Sequence, residues 1–253
     1  MAFTFKRPSY IFDDIKYYVG KCIVFDCSEI IKNNLKPNLD NSGYLEIQNK
    51  DAEEQAKRYL DIVKSLEISS DYFKQKLKDN FGIKSIGDLK DYFIIFYTGL
   101  DKYWNEEIYV GQEWRFAYFL NPYLSQDLMI EISNSGIKGI GSDTYRLENP
   151  LLNLGSLQAS ELFGISVVPE SIKSEFNKIN EQSLLHYIFL NKNILIIENL
   201  TNLERINNDI SLFVALPPRI QVNKASSDMF VRAIAFKLAN PEIPSQKSKG
   251  RIY

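Results

Sequence analysis

The chain has 253 residues, 45% of them hydrophobic and 25% charged, which is enough for one domain with a full core. A net charge of −2 at pH 7 lacks the basic surplus of a nucleic-acid footprint. No apolar run approaches the roughly 20 residues of a membrane span, so neither nucleic acid nor membrane is expected as a partner.

In chain order, residues 1–20 are aromatic and irregular, and the opening MAFTFKRPSY has no apolar signal-peptide region. Residues 22–27 (CIVFDC) read as a buried strand. Its two cysteines have odd spacing, point to opposite faces and do not pair; free thiols fit a reducing cytoplasm. Residues 28–50 are a polar loop. Residues 51–66 form an amphipathic helix with Ala52, Ala56, Tyr59, Leu60, Val63 and Leu66 on one stripe. Ser69 or Ser70 caps a second helix running to Asn80. Residues 92–98 are a buried strand ended by Gly99. Ser125 caps a helix that stops at Gly136, and a short strand at 137–140 delivers Ser142 and Asp143. Residues 149–164 are loop and helix, 165–168 a strand, and Pro169 opens another helix. Residues 194–198, 212–216 and 229–238 are strands, and 240–253 form a tail. Helices and strands alternate through the second half, which predicts an α/β layering.

One stretch stands out. Residues 184–203 hold the only histidine, His186, and twelve residues later Glu198 closes a β-branched apolar run. A carboxylate ending a buried strand needs a pair, hydrogen bonds or a cation. A packing histidine and a solvated strand-end glutamate are the plain alternative.

Several blocks around this stretch resemble the cyclase family, which includes kynurenine formamidase and isatin hydrolase. They are Tyr97-Thr98-Gly99-Leu100-Asp101-Lys102-Tyr103-Trp104, Pro122-Tyr123-Leu124-Ser125, and Gly136 through Asp143. After these come His186 with Ile196-Ile197-Glu198-Asn199-Leu200-Thr201-Asn202-Leu203, then Ala215-Leu216-Pro217-Pro218-Arg219 and Val231-Arg232-Ala233-Ile234-Ala235. The resemblance covers roughly residues 90–240 and implies a mixed β-sheet, barrel-like core flanked by helices (the swivelling β/β/α type), as a single domain over 1–253. It also implies a homodimer or higher homo-oligomer and a small-molecule substrate. In the family, the residues matching His186 and Glu198 help hold or face a metal pair.

The resemblance breaks at the N-terminus. The family's early His-x-Gly-Thr-His-x-Asp-x-Pro-x-His signature cannot be present in a chain with one histidine. A register anchored on Pro8 puts Thr4 at the second His, Lys6 at the Asp and Tyr10 at the last His. An ammonium at Lys6 repels a dication and can pair with Glu198 instead. No metal or other cofactor is therefore expected; the alternative is one weakly held Zn or Mn on Glu198, His186 and Asp143.

Other residues carry two readings each. Asp143 is a strand-end functional acid or a turn cap. Arg232, inside an apolar strand, is a structural ion pair or a substrate clamp. Arg219 reads as surface. Gly139-Ile140-Gly141 has too few glycines for a phosphate loop, and a Ser142–His186–Asp143 triad lacks a nucleophile elbow. The expected function is a divergent cyclase-like enzyme acting on a small cyclic or acylated substrate. His186, Glu198 and Asp143 carry its acid/base chemistry, with Tyr10, Lys6, Arg232, Ser142 and Trp104 against the substrate. The rival readings are a non-catalytic protein that binds a small ligand or a protein partner, and a metal-dependent arylformamidase-like hydrolase.

Overall fold

A computed structural model describes residues 15–35, 52–103, 120–153, 170–178, 184–216 and 231–238. The expectations for Thr4, Lys6, Tyr10, Trp104, Arg219, the strand at 165–168 and the tail at 240–253 lie outside these residues.

β1 (Val19–Asp26) contains the predicted apolar run. The stretch after it is helical at first rather than a loop: α1 (Ser28–Ile30) widens into a π turn over Ile31–Leu35. Ile30, Ile31 and Leu35 fall on one buried face, and apolar spacing of that kind outweighs the polar residues between them. Asp26 Oδ1 accepts from the Ser28 N–H at 3.0 Å and hydroxyl at 2.7 Å, an aspartate motif that ends the strand and starts the helix.

α2 (Ala52–Ser65) buries Ala56, Tyr59, Leu60 and Val63, as its stripe predicts. A short β2 (Glu67–Ile68) leads into α3 (Ser70–Phe81). Ser69 Oγ accepts from the Tyr72 N–H at 3.3 Å, and Gly82 ends the helix at φ 65°. Every residue of β3 (Phe93–Tyr97) is buried. β4 (Tyr123–Leu124) pairs in parallel with β2, and Ser125 caps α4 (Gln126–Asn134). Then follow β5 (Gly139–Ser142), α5 (Glu170–Asn177), α6 (Leu185–Leu190), β6 (Leu195–Ile197), β7 (Ile210–Leu216) and β8 (Arg232–Lys237).

The main sheet is mixed, in the order β6-β5-β3-β1-β7-β8. β1, β3, β5 and β6 run parallel, while β7 and β8 are antiparallel additions at one side. The sheet curls into a half-barrel with helices against it. One apolar cluster, on the face of Ile23, Phe25 and Phe96, joins the sheet to the helices; a second, around Cys22, Val24, Phe93 and Phe213, fills the other face. The two cysteines lie in different clusters and are both free. Burial pushes the Cys22 thiol up to about 12 and that of Cys27 well above its usual range, so neither is reactive at neutral pH. Among the described residues no helix is long and apolar enough to cross a membrane.

Two expectations are corrected here. The strand expected at 137–140 lies at Gly139–Ser142, because β5 must fit between two close neighbours. A Cβ at Gly141 would stand 2.9 Å from the Ile197 carbonyl oxygen and 2.9 Å from Ile95 Cδ1, and one at Gly139 would stand 2.7 Å from Phe93 Cδ1. These two glycines are what let three strands close. Arg232 is not buried in a strand interior: it is the exposed first residue of the edge strand β8 and needs no internal partner.

Candidate functional site

The carboxyl ends of β1, β3, β5 and β6 share one side of the sheet, the side where parallel α/β sheets form sites. They deliver Asp26, Thr98, Asp143 and Glu198.

His186 comes to this side on α6, a helix not foreseen in the sequence. Leu185 and Phe189 are fully buried at helical spacing and anchor it, while His186 stays partly open. The N-cap residue Leu184 has no side chain to satisfy the helix's first N–H groups. Glu148 does so from another segment: its Oε1 accepts from the His186 N–H at 3.0 Å. The same oxygen lies 3.0 Å from His186 Nδ1. Glu148 thus caps the helix and grips the ring at once. On the opposite edge, Nε2 lies 3.6 Å from Glu198 Oε1. The imidazole therefore sits between two carboxylates, one on each nitrogen. Side-chain exposure is 6% for Glu148, 28% for Glu198 and 36% for His186, so a buried anchor holds a ring that solvent can reach.

The electrostatics agree from both partners. Burial by itself lowers the His186 pKa; the hydrogen bond and charge of Glu148, then the charge of Glu198, outweigh it and carry the value above 6.5. Burial by itself raises Glu148, but the contacts with His186 and the charge of Arg146 bring it below 4.5. Arg146 Nη1 lies 3.8 Å from Glu148 Oε2, and its guanidinium stacks 5.0 Å from the Tyr145 ring centroid.

Glu148 is the site residue that sequence reasoning missed. Its only signal was a glutamate between apolar residues at Leu147 and Leu151, with no periodicity linking it to His186. Ser142 and Asp143, expected at the site, are fully buried and engaged elsewhere. The Thr98 N–H and hydroxyl both donate to Asp143 Oδ1 at 2.8 Å, and the Gly99 N–H donates to Oδ2 at 2.7 Å. Asp143 thereby holds the Thr98-Gly99 turn, where Gly99 takes φ 80°. Burial, set against those donors, pushes its pKa up to about 6. Ser142 Oγ lies 2.7 Å from Thr144 Oγ1. No hydrogen bond of Ser142 or Asp143 reaches His186, so the triad drawn from these three residues is not assembled. A cavity of about 170 Å³ abuts Glu148 and is lined by Tyr123, Met129, Lys178, Leu184 and Leu185 among others.

Glu148 and Glu198 address opposite nitrogens of one ring, so no single point is in coordination range of all three groups. Among the described residues no group of three or more His, Cys, Asp or Glu side chains could hold one.

Solved structures resemble this fold at low identity. Isatin hydrolase A from Ralstonia solanacearum is 14% identical, with 89% of this chain covering 62% of that one at a TM-score of 0.51. The shared feature is the fold. An isatin hydrolase bound to the product analogue thioisatinate is 16% identical, at 88% and 61% coverage and a TM-score of 0.49. A potential metal-dependent hydrolase with cyclase activity is 13% identical, at 92% and 72% coverage and a TM-score of 0.47. The chain spans about 61% of the length of the isatin hydrolases it matches. No family model matches it, and no curated protein does.

Proposed function

We propose that the chain is a hydrolase- or cyclase-like enzyme acting on a small cyclic or acylated substrate, with His186 as its proton-transfer centre. The observation that carries this is the solvent-reachable imidazole gripped at Nδ1 by buried Glu148 and faced at Nε2 by Glu198. The names of the fold neighbours, isatin hydrolase and a hydrolase with cyclase activity, are consistent with that substrate class.

The geometry assigns roles. Glu148 fixes the ring orientation and keeps the proton on Nδ1. Glu198 favours a second proton on Nε2, in the same direction as the raised pKa of His186. In hydrolysis, a water oxygen bonds to the substrate carbonyl carbon and its proton passes to Glu198. The bond from carbon to the ring heteroatom or leaving group then breaks, and that atom takes the proton from His186 Nε2. Transfer of the proton from Glu198 to Nε2, across a gap of 3.6 Å, restores the starting state. Ring closure is the same sequence reversed. The reading takes the chain as a homo-oligomer without a resident metal.

The test is turnover on a panel of small lactams, lactones and N-acyl amides after exhaustive dialysis, with and without added Zn or Mn. His186→Ala should abolish turnover and Glu198→Gln should reduce it at least tenfold, with far-UV circular dichroism unchanged. Turnover that survives His186→Ala, or that depends on retained metal, contradicts the assignment.

A further inference from the structure

Resting on that reading, we propose that Asn121 and Thr144 are positioning residues that hold Glu148 and Glu198 on opposite sides of His186. Both are buried; Asn121 donates to carbonyls of the Glu148 segment, and Thr144 donates to a carbonyl of that segment while accepting from an N–H of the Glu198 segment. The two hydrogens of the Asn121 side-chain amide are shared among three carbonyls, those of Arg146 at 2.8 Å, Pro122 at 3.1 Å and Glu148 at 3.2 Å. Between them, the Leu147 carbonyl accepts from the Leu124 N–H at 3.0 Å. Three successive carbonyls, Arg146 to Glu148, are therefore tied to residues 121–124. A segment pinned at three consecutive units cannot carry the Glu148 backbone away from the ring without breaking buried bonds.

Thr144 joins this segment to the other glutamate. Its hydroxyl donates to the Arg146 carbonyl at 2.7 Å. A hydroxyl has one hydrogen and a carbonyl cannot donate, so in the 2.7 Å contact between Ser142 Oγ and Thr144 Oγ1 the serine is the donor. The carbonyl of Thr144 accepts from the N–H of Asn199, the residue after Glu198, at 3.0 Å. The neighbouring carbonyl of Ser142 accepts from the Leu200 N–H at 2.9 Å. One buried residue thus contacts the backbones of both carboxylate-bearing segments. Acid/base geometry tolerates misplacement of only about 0.5 Å, which a shared anchor can meet and two independent loops cannot.

The readout is the tautomer of neutral His186, from imidazole 15N shifts measured above its pKa. The chain has a single histidine, so the signals need no assignment. Wild type and Thr144→Ser, which keeps the hydroxyl, should show the Nδ1–H form. Thr144→Val and Asn121→Ser should shift the ring toward Nε2–H, the form favoured once Glu148 is displaced. If Thr144→Val does not fold, Thr144→Ala against Thr144→Ser isolates the hydroxyl with a smaller change of volume. Folded Thr144→Val (or Thr144→Ala) and Asn121→Ser that keep the wild-type tautomer overturn the proposal, as does a Thr144→Ser that shifts equally. Glu148→Ala separates the two levels. If it leaves the tautomer unchanged, the reading of the site itself fails. If it shifts the tautomer while the Thr144 and Asn121 variants do not, only the positioning role fails.

Discussion

Asp143 and Glu148 are five residues apart, and both carboxylates are buried, yet their partners differ in kind. Asp143 spends its oxygens on two backbone N–H groups and one hydroxyl, none of which titrates near neutral pH. It locks a turn. Glu148 spends one oxygen on a backbone N–H and on an imidazole whose far edge is open to solvent. It couples the fold to a group that can gain or lose a proton. Burial alone therefore does not separate a structural acid from a chemical one; what the carboxylate touches does.

Substitutions should divide along the same line. Asp143→Asn keeps the size but turns an amide donor toward at least one N–H that needs an acceptor, and should cost about 3 kcal/mol in urea unfolding. A loss within about 0.5 kcal/mol would mean the turn does not depend on the carboxylate. Gly141→Ala should cost about 2 kcal/mol, because the Ile197 carbonyl that its Cβ meets belongs to a paired strand and cannot move aside. Thermal unfolding of Gly141→Ala within a degree or two of wild type would contradict the close packing of β3, β5 and β6. Glu148→Gln should cost less, about 1 kcal/mol, since solvent screens the His186 end of the contact.

The pH dependence sharpens the contrast. Asp143 has a raised pKa, so its contribution is full below its ordinary 3.8 and is lost as pH rises through about 6. His186 is also raised, so its contribution is full below 6.5 and is lost as pH climbs through the raised value. Glu148 is lowered, so its contribution is full above 4.5 and is lost as pH falls through the lowered value. Wild type should be most stable at mildly acid pH. Glu148→Gln should flatten the acid limb and Asp143→Asn the limb below pH 6. Equal urea midpoints from pH 4 to pH 8 in wild type would argue against all three assignments.

Much of the scaffold was legible in the sequence. The stripe of α2, the Ser69 and Ser125 caps and the fully apolar β3 are local signals, and local physics decided them. The sheet's curled, mixed character followed from the resemblance carried by blocks such as Thr98-Gly99 and Glu198-Asn199. The site was only half legible. His186 and Glu198 stood out because a lone histidine and a strand-end carboxylate are conspicuous by type. Glu148 did not, since its role depends on a helix end that the chain brings to it from 38 residues away. Asp143 looked reactive by position, but the donors that engage it belong to a turn far back in the chain. Arg232 looked buried because its neighbours are apolar, whereas strand order leaves it on an exposed edge.

The most direct test is an NMR titration of the single imidazole in wild type and in Glu148→Gln. The account predicts a wild-type pKa above 6.5 that falls in the variant, with the fold intact. A wild-type value at or below 6.5, or one that Glu148→Gln leaves in place, would contradict the claim that the buried carboxylate sets the chemistry of His186.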